Sequence, residues 1–303
     1  MLTLQKRTKL STGISPRIKG LSMTLLGAFC FALVPIWVRS IEAYSSMSIV
    51  FYRALVGLFP LFFWILRKPN LRNHVTLKHL GWKHRLVLAG LGISMCGTGS
   101  TYYLAILKTS VAKAVLFHYT APIYVAILSP FILKEKNAPL TWFAIGAGLL
   151  GTVMIAEPSS LFAGSSEELL GIISGLLSGI FLSGVFVFGR FLAGYLPSQV
   201  STLWGCIMVA LILLPLGANV PAGHFGHNLP FFLLLGTISL AVPYTLFFQG
   251  QNYISAQTAS QAALFEPVCG IGVGFLIFGE KLTLLGLVGA VLVLFSIYIA
   301  SCR

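Results

Sequence analysis

Two titratable side chains stand where ionisation is most costly. Glu266 lies in LFEPVCG (264–270) and His118 in AVLFHYTAP (114–122), each inside a long apolar run. A carboxylate in hydrocarbon costs roughly 2.5–3.5 kcal/mol on insertion scales, so Glu266 must face protein or water rather than lipid. Placed there, it can bind a cationic group of a solute or carry a proton. His118 could be its partner, because an imidazole titrates near neutral pH. The structural alternatives stay open: Glu266 caps backbone donors freed where Pro267 interrupts the helix, and His118 is a satisfied buried histidine. Tyr103 and Tyr244 stand in groups with Ser100, Thr101, Tyr102, Phe247 and Phe248, and could line an amphipathic pocket. Lys113, at the mouth of its helix, could attract an anionic group or simply be solvated. Arg53 is expected to run its stem to the membrane interface, with a clamp on a solute carboxylate as the alternative.

Other chemistries find no constellation. The five cysteines are scattered without a C-x-x-C pair, and they read as small apolar side chains. His224 and His227 lie three apart, with no acid or cysteine beside them, so no metal is expected. There is no phosphate-cradling glycine loop and no nucleophile arrangement. An enzyme is not expected, nor any cofactor; drive by ATP would need a separate nucleotide-binding chain.

The elements that must hold these side chains follow from composition. Hydrophobic residues make up 57% of the 303 residues and charged ones 9%. A soluble domain is near a quarter charged, so this is a membrane protein. A span needs about 20 apolar residues. Ten fit the chain, near 20–39, 46–66, 86–107, 110–133, 139–156, 169–190, 197–216, 229–249, 253–279 and 284–301. The basic start before the first span resembles a signal peptide. Its apolar part is too long and no small-x-small cleavage site follows, so it reads as a retained helix. Pro35, Pro122, Pro243 and Pro267 fall within spans 1, 4, 8 and 9, where kinks would suit gating. Gly171, Gly175 and Gly179 form a four-residue stripe for close helix packing. Gly20, Thr24 and Ala28 are its counterparts in the first span.

With the N-terminus inside, fifteen of the twenty Lys and Arg residues fall on the cytoplasmic side. Four (Arg39, Lys108, Lys113, Lys281) fall outside, and Arg53 lies within a span. That asymmetry orients the chain with both termini cytoplasmic. It also accounts for the net charge of +13 without nucleic acid. The inner basic loop, with His74, His79 and His84, suits anionic headgroups.

The chain repeats itself. At a shift of 145, Ala114 meets Ala259, Pro122 meets Pro267, Glu135 meets Glu280 and Lys136 meets Lys281. At a shift of 151, Gly20 meets Gly171, Arg39 meets Arg190 and Tyr44 meets Tyr195. Each half holds five spans, and five is odd, so the second half must enter upside down. Inverted repeats are a recurring transporter plan, with the solute site near the midplane between halves.

These paired A-x7-P-x12-E-[KR] stretches at 114–136 and 259–281, with FYRA (51–54) and FEPV (265–268), resemble the drug/metabolite transporter superfamily, in particular its ten-helix EamA-type members. The resemblance implies a central cavity lined by helices 1, 3, 4, 6, 8 and 9. It implies alternating access for small metabolites, often export of amino acids; some relatives in host-dependent bacteria import metabolites such as S-adenosylmethionine. Small four-helix relatives carry a proton-coupling glutamate inside helix 1, which is absent here, since Glu42 lies beyond its end.

The expectation is an all-α integral membrane protein whose ten transmembrane helices form two inverted five-helix repeats. A basic cytoplasmic N-terminus (1–19) precedes repeats at 20–156 and 169–301. The function expected is secondary transport of an amino acid or related small metabolite, with efflux leading, across the cell inner membrane. The partners are the solute and the bilayer, with proton coupling if Glu266 or His118 titrates. The reading is compatible with a monomer. An importer or exchanger of a nucleoside-bearing metabolite is the alternative. A lipid-modifying membrane enzyme or a non-transporting sensor are the alternatives from other classes.

Overall fold

The computed structural model describes residues 15–156, 165–217, 224–278 and 283–302. Residues 1–14 of the basic N-terminus lie outside that set. So do Glu157 and the Glu280–Lys281 turn of the repeat.

The described chain is helical throughout. The helices are α1 (Pro16–Ala32), α2 (Val34–Ser40), α3 (Ser46–Leu66), α4 (Pro69–Val75), α5 (Trp82–Lys108), α6 (Val111–His118), α7 (Ala121–Ile132) and α8 (Pro139–Ile155). The second half continues with α9 (Ser166–Leu192), α10 (Ser198–Gly217), α11 (Phe225–Gly236), α12 (Val242–Gly250), α13 (Ala256–Ala263), α14 (Phe265–Phe278) and α15 (Leu284–Ser301). A π-helical turn, Thr237–Ala241, joins α11 to α12. Among the described residues, seven helical stretches are long and apolar enough to cross a membrane. Three more helical stretches occupy the remaining expected spans. Glycine and hydroxyl residues dilute α5, α8 is an apolar helix of 17 residues, and α13 opens the ninth stretch with a polar run.

Proline sets the breaks. Pro35, Pro122 and Pro243 are each the second residue of a helix (α2, α7, α12), and Pro267 is the third of α14. A first-turn residue needs no intrahelical donor, so proline is at ease there. It cannot serve the carbonyl four residues back, and the preceding helix ends. Four spans are therefore each built from two segments.

The two halves repeat in detail. Helices α6 and α13 have the same bounds at a shift of 145. Ser110 and Ser255, equivalent at that shift, each cap their helix by accepting from the backbone N–H three residues on. Helix α5 packs on α9 as α12 packs on α1, and α8 pairs with α15. In that last pair the backbones nearly touch: a Cβ added at Gly151 would sit 2.6 Å from the Gly289 carbonyl. Ser296 donates to the Ala144 carbonyl at 2.7 Å. Adding 145 turns Gly151 into Ser296 and Ala144 into Gly289, so the two contacts are each other's counterparts.

Large apolar side chains coat the outside, among them Phe59, Phe131, Leu276 and Leu284. Small and polar ones collect between helices. The glycine stripe of α9 lies on α6: a Cβ at Gly171 would meet Thr109, one at Gly175 Phe117, and one at Gly179 the carbonyls of Phe117 and His118, both at 3.0 Å.

Candidate functional site

The broken helices converge on a small chamber of about 40 Å³ lined by buried side chains, room for a few waters at most. Glu266, His118, Tyr103 and Tyr244 all line it, together with Arg53, Tyr102 and Tyr119. Glu266 is 3% exposed, and both its oxygens are taken. Tyr102 donates to Oε1 at 3.0 Å and Tyr119 to Oε2 at 2.6 Å. The freed backbone next to Pro267 is therefore not what occupies this carboxylate.

His118 does not pair with Glu266. Its ring stacks on Tyr102, centroids 4.0 Å apart and 15° from parallel. Tyr102 thus stands between the two, with its face on the imidazole and its hydroxyl on the carboxylate. The direct partner of His118 is Ser178, at 2.7 Å from Nδ1. Ser178 donates its own proton to the Gly175 carbonyl, so Nδ1–H is the donor to Ser178. The result is a buried chain, Ser178–His118–Tyr102–Glu266–Tyr119, drawn from four helical stretches.

Arg53 overturns its expectation. It is 5% exposed and does not snorkel. Its Nη2 donates to the Ser239 carbonyl at 2.7 Å. Ser239 lies four residues before Pro243, so in α-helical register its carbonyl would look to the N–H that proline lacks. Arg53 replaces the missing N–H from another helix. Its Nη1 donates to the Tyr103 hydroxyl, and the guanidinium faces the Tyr103 and Tyr244 rings at 5.3 and 5.9 Å. Nε has no partner. Helix α3 therefore does reach the chamber.

Lys113 is not solvated and does not enter the chamber. It is 3% exposed and bound to Glu168, in the first turn of α9. Its charge is already neutralised.

A second cavity, about 620 Å³, opens at the Arg39 end of the bundle between α1–α2, α6, α8 and α14. Its walls are mainly apolar, with Arg39, Ser40 and Ser110 among the lining residues and Pro35 on one side. Glu266 and Pro267 line it as well. The carboxylate thus stands where the large vestibule and the small chamber meet. Lys108–Glu167 and Lys113–Glu168 join the halves at the Arg39 end, and another ion pair bolts them together at the opposite end. Glu135 accepts from Arg190 Nε at 2.7 Å and from the Ala256 N–H, at the start of α13, at 3.1 Å. Arg190 also donates to the Gln251 carbonyl. Arg39, the counterpart of Arg190, donates to the Ile106 and Thr109 carbonyls.

Sequence reading alone missed the roles of Tyr119, Ser178 and Arg53. A tyrosine beside a buried histidine, and an arginine midway along a span that also meets a proline-bearing one, were the available signals.

The geometry can be set beside known proteins. A sequence model described as the EamA-like transporter family matches residues 18–156 and again 169–302. A protein of Archaeoglobus fulgidus named as an uncharacterized transporter is 31% identical over 281 residues, covering 93% of this chain and 96% of its own. A riboflavin transporter of Rhizobium johnstonii is 27% identical over 271 residues, 86% of this chain and 82% of its own. A crystal structure with 16% sequence identity aligns with a TM-score of 0.76, over 94% of this chain and 97% of that one. That last likeness is one of fold.

Proposed function

The chain belongs to the EamA-like transporter family of the drug/metabolite transporter superfamily and is a multi-pass membrane transporter; from that premise we propose that it carries an amino acid or related small metabolite by alternating access. Ten spans in two inverted five-helix halves are the frame of this reading, with both termini cytoplasmic and efflux across the cell inner membrane as the leading direction. The swapped contacts of α8 and α15 support the two-fold arrangement.

One observation carries the proposal: Glu266 lines both the large vestibule and the small aromatic chamber. A solute on its way out passes the aromatic chamber, meets this carboxylate and leaves by the Arg39 end. An ammonium group can replace the two tyrosine hydroxyls as its donor, and the Tyr102–Tyr119 clasp then opens as the solute passes. Pro35, Pro122, Pro243 and Pro267 mark the hinges, and the Glu135–Arg190 bolt releases on the other face. Glu266 is also the group that would hold a coupling proton; His118, tied to Ser178, orients Tyr102. Tyr103 and Tyr244 shape the chamber. Lys113 ties α6 to α9.

A nucleoside-bearing or other heterocyclic metabolite is the second reading. The aromatic lining favours it, since flat rings stack on tyrosine and phenylalanine, and so does the similarity to a riboflavin transporter.

Counterflow in proteoliposomes tests both. Vesicles preloaded with single unlabelled amino acids, or with riboflavin or S-adenosylmethionine, are offered the labelled compound. Accumulation that disappears in Glu266→Gln supports the site. Flux of no member of either class refutes the substrate assignment.

A further inference from the structure

A third cavity is separate from the vestibule and the chamber. It lies at the Glu135 end, holds about 310 Å³, and is framed by the first turn of α1, the α7–α8 turn, α13 and the end of α15. Its lining mixes apolar groups with Arg17, Lys136, Asn137, Gln257 and Gln261 and with Ser255 and Thr258. Duplication does not require this. At the Arg39 end the counterparts of Gln257 and Ala300 are Ala112 and Ile155, and that wall is apolar.

We propose that this crevice is a binding site for the phosphate of an anionic phospholipid headgroup. Three observations carry it. First, the charge is unbalanced. Glu135, the acid in the lining, is already held by Arg190 and by the Ala256 N–H. Among the described residues no carboxylate pairs with Arg17 or Lys136, and the Nη2 of Arg17 has no partner at all. Second, Gln257 is 7% exposed and its Oε1 also lacks a partner, while its amide donates to the Pro122 carbonyl at 3.5 Å. The ligand must therefore bring an anion for Arg17 and Lys136 and an O–H or N–H donor for Gln257. A phosphodiester with a glycerol hydroxyl combines both. Third, the crevice lies beside lipid. Leu140 in its lining is exposed, and so are Trp142 and Tyr298 on the same two helices, the residue types that sit at headgroup level. Basic pockets between helices near the membrane surface take headgroups in this way. Lys19, over the Tyr253 ring at 5.2 Å, adds a third cation at the rim.

The test is native mass spectrometry of the purified full chain in detergent, with added phosphatidylglycerol, phosphatidylethanolamine or glycerol 3-phosphate. Arg17 lies in a first turn and Lys136 in an exposed turn, so Arg17→Gln and Lys136→Gln are two independent variants; Lys108→Gln, at the Arg39 end, removes the same charge far from both the crevice and the inner basic loop. The proposal expects phosphatidylglycerol to be retained over phosphatidylethanolamine. Each crevice variant should cut retention by about tenfold, for the loss of a charge-assisted contact, and Lys108→Gln should leave it unchanged. Equal loss in Lys108→Gln, or full retention in both crevice variants, overturns the site. Binding of glycerol 3-phosphate as strong as that of the lipid overturns the lipid source and assigns the crevice to soluble phosphate.

Discussion

Replacing Arg53 with methionine tests whether an arginine on α3 serves the Ser239 carbonyl, four residues before Pro243. The bond from Nη2 to Ser239 is 2.7 Å and buried. A hydrogen bond from a charged donor contributes about 1.5–3 kcal/mol. The bond to the Tyr103 hydroxyl is lost as well. Against these losses, methionine no longer has to be desolvated as a cation, which offsets part of the cost. The single variant is therefore hard to interpret alone. A cycle with Pro243→Ala separates the parts. Alanine restores an N–H and removes the ring that interrupts the ladder, so the Ser239 carbonyl no longer depends on Arg53. In that background Arg53→Met should cost about 1.5–3 kcal/mol less than in the native chain. The assay is unfolding in mixed micelles by dodecyl sulfate, followed by tryptophan fluorescence, for all four proteins. Independent sites add within about 0.5 kcal/mol. Additivity at that level would refute the reasoning and leave Arg53 with Tyr103 and Tyr244 as its effective partners.

Three further outcomes are expected. Glu266→Ala orphans the hydroxyls of Tyr102 and Tyr119, at about 1–3 kcal/mol each, whereas Glu266→Gln keeps an acceptor and stays within about 1.5 kcal/mol; a melting order with Gln below Ala would contradict the clasp. Glu135→Gln should lower stability by only about 1 kcal/mol, because the pair with Arg190 is partly solvated. A cysteine placed at Gln257, in a chain without Cys302, should nevertheless react faster with a soluble maleimide once the bolt is weakened, and an unchanged rate would remove the bolt from gating. Gly151→Ala pushes a Cβ to within 2.6 Å of the Gly289 carbonyl and should cost about 1–3 kcal/mol, while Gly146→Ala, with nothing within 4 Å, should be neutral or stabilising; equal effects would argue against close α8–α15 packing.

Apolar run length and proline position are properties of a stretch of chain by itself. A lipid core demands about 20 apolar residues wherever they occur, and a proline ends its ladder whatever surrounds it. The helical stretches, their four breaks and the two-copy pattern were therefore legible from residues alone, and the family followed from the paired motifs. The chamber was legible only in part. Glu266, His118, Tyr103 and Tyr244 could be picked out because polar groups at membrane depth are costly, and tertiary packing does gather them. Their partners could not be read. Which hydroxyl meets a carboxylate depends on the rotation of helices that are far apart in sequence: Tyr102 and Tyr119 reach Glu266 across 164 and 147 residues. For the same reason His118 went to Ser178, and Lys113 became buried against Glu168. Arg53 shows the difference most sharply. Its own neighbourhood on α3 says only that a long cation sits in an apolar run, for which the interface is the nearest relief. The carbonyl that holds it inside is exposed by a proline on a different helix, 186 residues away, and only the folded bundle brings the two together.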